Sequence, residues 1–285
     1  MSIRIVTDST ADLPSEVAAS LGITVIPLYI HIGGSSYLDG VELTREAFYA
    51  GLPTYEAAPT TAAPAPDVFR ETYERLAAEG ATAILSIHIS ANLSSTLHVA
   101  SLGARATTVL PVKVLDSRQL SLGTGFAAET AARLAQNGQD MDTIIAAVDE
   151  QILRTHTFAM LDTMEYLRRS GRVNWVVARL GNVLQIKPIL RMYDGEAGAE
   201  RVRTHSQARA RVVALLREQA PLARAALVHT HTPERAEELR QECADLLEGL
   251  DVPSVDITPV IGAHIGPGAV GFVCVSQRAP YARRR

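Results

Sequence analysis

Short β-branched runs alternate with helical stretches through the first half of the chain. This alternation restricts the fold more than any other feature. Ile3–Thr7 reads as a buried strand. Pro14 then opens a helix that ends near Gly22, with Asp12 as its expected N-cap. Ile23–Ile32 is strand-like, and Pro27 inside it marks an edge or a bulge. Thr44–Leu52 reads as helix, Ala57–Pro66 as a Pro/Thr/Ala loop and Asp67–Ala78 as helix. Strands are expected at Ala83–Ile89 and Val112–Leu115, with Ser90–Ser95 leading into a helix between them. Helices at Gly123–Asn137 and Met141–Arg154 follow. Strands separated by helices imply a mainly parallel, layered α/β sheet.

The second half has a different rhythm. Thr157–Leu161 reads as a strand, and Thr163–Ser170 and Val173–Leu180 as helices. Pro188–Tyr193 and Ala199–Arg203 read as strands joined at the turn signal Asp194-Gly195. A helix, the strand Ala225–His229, the helix Glu234–Leu247 and two final strands close the chain. A hairpin combined with βαβ units predicts a mixed sheet with helices. The expected organisation is therefore two α/β domains, residues 1–155 and 156–285.

Composition narrows the function classes. The chain has 285 residues, 47% of them hydrophobic and 20% charged, enough apolar material for a large core. Net charge is −4, so nothing points to nucleic acid or to an anionic membrane surface. The two cysteines, Cys243 and Cys274, form no C-x-x-C pair. The first residues lack the apolar stretch of a signal peptide, and no segment reaches the ~18 apolar residues of a membrane span. A cytoplasmic location without stable membrane insertion is expected.

Several stretches carry candidate chemistry. Gly266-Pro267-Gly268-Ala269-Val270-Gly271 fits G-x-G-x-x-G. However, a strand follows it where a dinucleotide site needs a helix, and Pro267 removes an N–H donor. Gly123-Thr124-Gly125-Phe126-Ala127-Ala128 fits a relaxed version and opens a helix, but five residues separate it from Asp116-Ser117, where its strand ends. His229-Thr230-His231 resembles a metal-binding H-x-H and reads equally as polar residues opening a helix. Asp8, just after the first strand, is the candidate acid for a Mg²⁺-dependent phosphotransferase or phosphatase, although Thr10 stands where D-x-D needs a second acid. Finally, hydroxyls gather at loop–helix junctions: Ser9, Thr10, Thr60, Thr61, Ser94, Ser95, Thr96 and Ser117. Such groups cap helices, and where several converge they bind an anion.

Blocks along the chain resemble the DegV family. They are IVTDSTADLP (5–14), YLDG (37–40), PTTAAPAP (59–66), SANLSSTLHVA (90–100), VLDSRQLSLGTG (114–125), EYLRRSGRV (165–173), IKPIL (186–190) and GAHIGPGAVGF (262–272). Their order and spacing follow the family across nearly the whole chain. The resemblance implies a two-domain α/β protein that buries a long-chain fatty acid such as palmitate or oleate between its domains. It implies a carrier rather than an enzyme, with no metal and no cofactor beyond the bound acid. Some members serve as the fatty-acid-binding subunit of a bacterial fatty acid kinase, a separate protein that phosphorylates the carboxylate. By motif, Thr61 and Ser94 would hold the carboxylate, with Arg172, His264 and Ser95 in the head-group neighbourhood. His264 would be presented by a tight loop. Three departures stand out: Ala62-Ala63-Pro64-Ala65 where the family has Ser-Gln-Pro-Ser, Ser95 for a glycine, and Ser170 for the first glycine of Gly-Gly-Arg.

Overall fold

Ile5 and Val6 are neighbours in β1 (Ile3–Asp8), point to opposite faces and are both buried. A strand buried on both faces belongs in a parallel sheet covered by helices. In the structure, a computed structural model that describes residues 2–171 and 187–279, β1 occupies that position. It lies between β2 (Thr24–Ile26) and β6 (Ala83–His88), and β7 (Val112–Asp116) completes the parallel order β2-β1-β6-β7. A small antiparallel sheet, β4-β3-β5, is formed by β3 (Tyr29–Ile32), β4 (Ser35–Leu38) and β5 (Thr60–Ala62).

The helices of this half are α1 (Ser15–Leu21), α2 (Arg45–Gly51), α3 (Pro66–Ala78), α4 (Thr96–Ala106), α5 (Leu122–Gln136) and α6 (Met141–Ile152). Phe69, Tyr73 and Ala100 of α3 and α4 pack on the Val6 face. Ala131, Ile144 and Val148 of α5 and α6 pack on the Ile5 face. Burying each such Ile or Val stabilises the fold by roughly 1.5–3 kcal/mol.

The later strands form one mixed sheet. They are β8 (Thr155–Met160), β9 (Lys187–Tyr193), β10 (Glu196–Val202), β11 (Leu222–His229), β12 (Ser254–Asp256) and β13 (Val270–Ser276). Their order is β10-β9-β8-β13-β11-β12, antiparallel except between β11 and β12. The expected turn Asp194-Gly195 joins β9 to β10, both residues at positive φ as a two-residue hairpin requires. The remaining helices are α7 (Glu165–Arg169), α8 (His205–Gln219), α9 (Pro233–Glu242), α10 (Ala244–Leu247) and α11 (Pro259–Ile265). Val212, Leu216 and Leu239 of α8 and α9 cover one face of the mixed sheet. On its other face, Leu122 and Phe126 of α5 join Ile261 and Ile265 of α11. Helix α5 is thus apolar on both sides, because it is wedged between the two large sheets.

Several expectations are corrected. Asp12 does not cap α1; Pro14 holds that position without a side-chain bond, and Asp12 turns inward at φ 53°. The Ile23–Ile32 strand breaks at Pro27 into β2 and β3, which join different sheets. The Ala57–Pro66 loop contains β5. The helix expected over Glu234–Leu247 divides at Cys243. The helix expected over Val173–Leu180 lies outside the described residues. Among the described residues no helix is long and apolar enough to cross a membrane.

Candidate ligand-binding site

A largely apolar cavity opens where the parallel strands end and the mixed sheet begins. Thr10, Ile89 and Leu120, which follow β1, β6 and β7, line one side. Ala159 and Leu190 from β8 and β9 line another, and Ile261 of α11 a third. A crevice beyond the carboxyl ends of parallel strands is a usual place for a ligand in α/β proteins.

Its polar lining includes Thr10, Ser121, Thr157 and Arg191 beside the side chains expected from the sequence. Thr61 is placed by β5, whose pairing with β3 sets Thr61 opposite Ile30. Ser94 is placed by the turn after β6, where Leu93 and Ser94 donate backbone N–H bonds to Ser90 O at 2.9 and 3.1 Å. Ser95 follows at the start of α4, exposed, its hydroxyl capping nothing. His264 comes from the last turn of α11, so the tight loop expected to carry it begins only at Gly266. The structure brings Thr61, Ser94, Ser95 and His264 to one cavity. Arg172 lies outside the described residues.

The hydrogen bonds decide what these groups can do. Thr61 Oγ1 lies 3.1 Å from His264 Nε2. With the ring proton on Nε2, the imidazole donates and Thr61 keeps its own proton for a ligand. Ser94 Oγ accepts from Thr96 N at 3.2 Å and lies 2.8 Å from Thr96 Oγ1. When Thr96 donates, Ser94 also keeps its proton. A largely apolar cavity lined by O–H groups able to donate has the chemistry to take an amphipathic acid.

The rival sites resolve differently. Asp8 is fully buried, and both its oxygens are engaged. Oδ2 lies 2.8 Å from His88 Nδ1 and accepts from Ile89 N at 3.2 Å. Oδ1 accepts from Thr10 N at 3.0 Å and from Thr10 Oγ1. His88 Nε2 continues to Ser86 Oγ at 2.7 Å, and Ser86 to Tyr73 OH at 2.9 Å, all buried. This carboxylate braces the parallel sheet and has no face toward a phosphate ester, so the phosphotransferase reading loses its acid. Gly123 and Gly125 lie inside α5 rather than in a phosphate loop. A Cβ at Gly125 would stand 2.6 Å from Ala11 O, so glycine serves close packing there. Strand β13 follows Gly268, as the argument against a dinucleotide loop required. His229 is buried and accepts from Thr232 N at 3.3 Å, and burial pushes its pKa down. Both His229 and His231 lie 3.6 Å from Asp256, but no group of three or more His, Cys, Asp or Glu among the described residues is arranged to hold a metal.

Asp12 is the carboxylate that sequence reasoning misplaced. It is buried beside the cavity, where Oδ2 accepts from Ser121 Oγ at 2.6 Å and Oδ1 from Arg45 at 3.2 Å. Burial pushes its carboxyl up to about 7, opposed by Arg45, Ser121 and Thr258.

Fold and site together define an α/β protein with a largely apolar cavity whose lining includes hydroxyls and an imidazole. The chain belongs to the DegV family: a family model described as "Uncharacterised protein, DegV family" matches residues 2–277. It is 37% identical over 279 residues to a DegV domain-containing protein of Streptomyces coelicolor, covering 96% of this chain and 99% of that one. The crystal structure of DegV from Bacillus subtilis, a fatty acid binding protein, superposes with a TM-score of 0.89 at 30% identity, over 97% of this chain and 100% of that one. A fatty-acid-binding DegV family protein from Thermus thermophilus gives 0.86 at 34% identity, over 97% and 100%.

Proposed function

We propose that this protein binds a long-chain fatty acid in the cavity, with the carboxylate held by Thr61 and Ser94 and with His264 beside them. The observation that carries this reading is that Thr61, with its partner His264, and Ser94 line one largely apolar cavity. The fatty-acid-binding relatives from B. subtilis and T. thermophilus support it. Each buried CH₂ contributes about 0.8 kcal/mol, so the roughly fourteen methylenes of palmitate supply on the order of 10 kcal/mol before the costs of binding. Few polar groups are then needed, and their task is to orient the acid. Lipid extracted from the purified protein and analysed by mass spectrometry is expected to contain a C14–C18 fatty acid. Absence of an acyl chain, together with no binding of added palmitate or oleate, overturns the reading.

On the family resemblance, the bound acid is presented to a separate fatty acid kinase. A carboxylate oxygen attacks the γ-phosphorus of ATP held by that kinase, forming the acyl phosphate and releasing ADP. The protein is then a carrier, without an ATP site of its own. Substitution of Arg172 or His264 is expected to lower acyl-phosphate formation more than fatty acid binding. Unchanged acyl-phosphate formation in both variants contradicts the presentation role.

A further inference from the structure

We propose that Thr258, gripped by Asp12 and Asp39, is a positioning residue that sets His264 against Thr61 and thereby governs recognition of the ligand's acid end. The proposal rests on the fatty-acid reading above. Helix α11 has seven residues and contains Gly262, too short and too poor in helix formers to hold its own direction. Its direction is set by what grips its first turn. Thr258 N donates to Asp12 Oδ1 at 2.7 Å, and Thr258 Oγ1 donates to Asp39 Oδ2. Just before it, Ile257 O accepts from Tyr49 OH at 2.8 Å. The Tyr49 ring lies against Gly262, where a Cβ has no room.

Both ends of α11 are referred to the same strand. Asp39 N donates to Leu28 O at 2.9 Å, immediately before β3. Thr61, which meets His264 at the other end of α11, is paired with Ile30 in β3. The strand, the Asp39 grip, the helix and the Thr61–His264 contact therefore close a loop. Releasing Thr258 frees α11 to tilt, and the 3.1 Å contact at its far end is the part that feels it most. Burying two carboxylates costs several kcal/mol, whereas apolar packing would join these segments more cheaply. A directional grip is what the carboxylates add.

The test compares two ligands with one chain, palmitate and the uncharged hexadecanol. Thr258→Val is expected to weaken palmitate about tenfold while hexadecanol changes less than about twofold. Thr258→Ser, which keeps the O–H, is expected to match wild type. In a His264→Ala background, Thr258→Val is expected to add nothing to the palmitate loss. Should Thr258→Val not fold, Asp39→Ala, which removes the acceptor of the Thr258 hydroxyl, carries the same comparison. A loss equal for both ligands, or a full Thr258→Val effect without His264, overturns the proposal. Wild-type protein that binds neither ligand overturns the fatty-acid reading, and the proposal with it.

Discussion

Two sets of hydroxyls line the same cavity and have opposite chemistry. Thr10, Ser121 and Thr157 give their single proton to acceptors: Asp8, Asp12 and the Gln119 side-chain oxygen. Toward a ligand they offer lone pairs or, for threonine, a methyl group. Thr61 and Ser94 are bonded to groups that can themselves donate, His264 and Thr96, so they can keep a proton to give. An anion needs donors, so only the second set suits a carboxylate. Composition cannot separate these sets, because all five are Ser or Thr. The partner of each hydroxyl decides whether it can still donate a proton to a ligand.

The sharpest way to break the comparison is to remove the acceptor of a committed hydroxyl. Asp8→Ala leaves Thr10, His88 and Ile89 N without their buried partner. Stability to urea is expected to fall by about 3–5 kcal/mol, as when one member of a buried pair is lost. A fall below about 1 kcal/mol would mean that Asp8 does not brace the sheet.

Asp12 offers a second test through pH. Its carboxyl is pushed up to about 7 in the fold, from 3.8 in the unfolded chain. Between those values the folded state binds more protons than the unfolded one, so this group's contribution to stability falls as pH rises from about 4 to 7. Asp12→Asn cannot titrate. Relative to wild type it is expected to gain stability between pH 5 and 7, by at most about 1.4 kcal/mol per pH unit. Parallel stability–pH curves for the two proteins would show that Asp12 does not titrate in that window.

Thr10→Val and Ser94→Ala exchange the two roles directly. Thr10→Val takes a donor from buried Asp8, and stability is expected to fall by about 1–3 kcal/mol with palmitate affinity unchanged. Ser94→Ala removes a part-exposed hydroxyl. Palmitate affinity is expected to drop about tenfold, with the urea midpoint nearly constant. Calorimetric titration and urea denaturation of both variants check the exchange. Matching losses of affinity in the two variants would erase the distinction between the sets.

The layered fold was legible because Ile3–Thr7 and Ala83–Ile89 are continuous apolar runs, and Asp194-Gly195 is a local turn signal. That Thr61, Ser94 and His264 line one cavity was expected from family motifs alone; as residue types they were part of a longer roster of polar groups. What was missed depends on long-range partners. Strand β5 has three residues between Pro59 and Pro64 and exists through its pairing with β3. Helix α11 has weak intrinsic propensity and is held at its start by Asp12, Asp39 and Tyr49, which are 246, 219 and 208 positions away from their partners. Asp12 satisfied the local rule for a helix cap, and tertiary bonds to Ser121 and Thr258 overrode it. No sequence periodicity encodes such pairs.

The smallest expected effect is the most discriminating. Ser95 is adjacent to Ser94, lines the same cavity and is also a serine. Proximity alone would give the two similar weight in binding. Ser95, however, is exposed and caps nothing, so water competes for its hydroxyl, whereas Ser94 is oriented by Thr96 N and Thr96 Oγ1. A hydroxyl held in place loses little entropy on meeting a ligand, and a freely rotating, hydrated one loses more. Ser95→Ala is therefore expected to change palmitate affinity less than about twofold and stability by less than about 0.5 kcal/mol. Calorimetric titration of Ser94→Ala and Ser95→Ala side by side decides it: equal affinities would place the carboxylate elsewhere in the cavity and undo the division between oriented donors and bystanders.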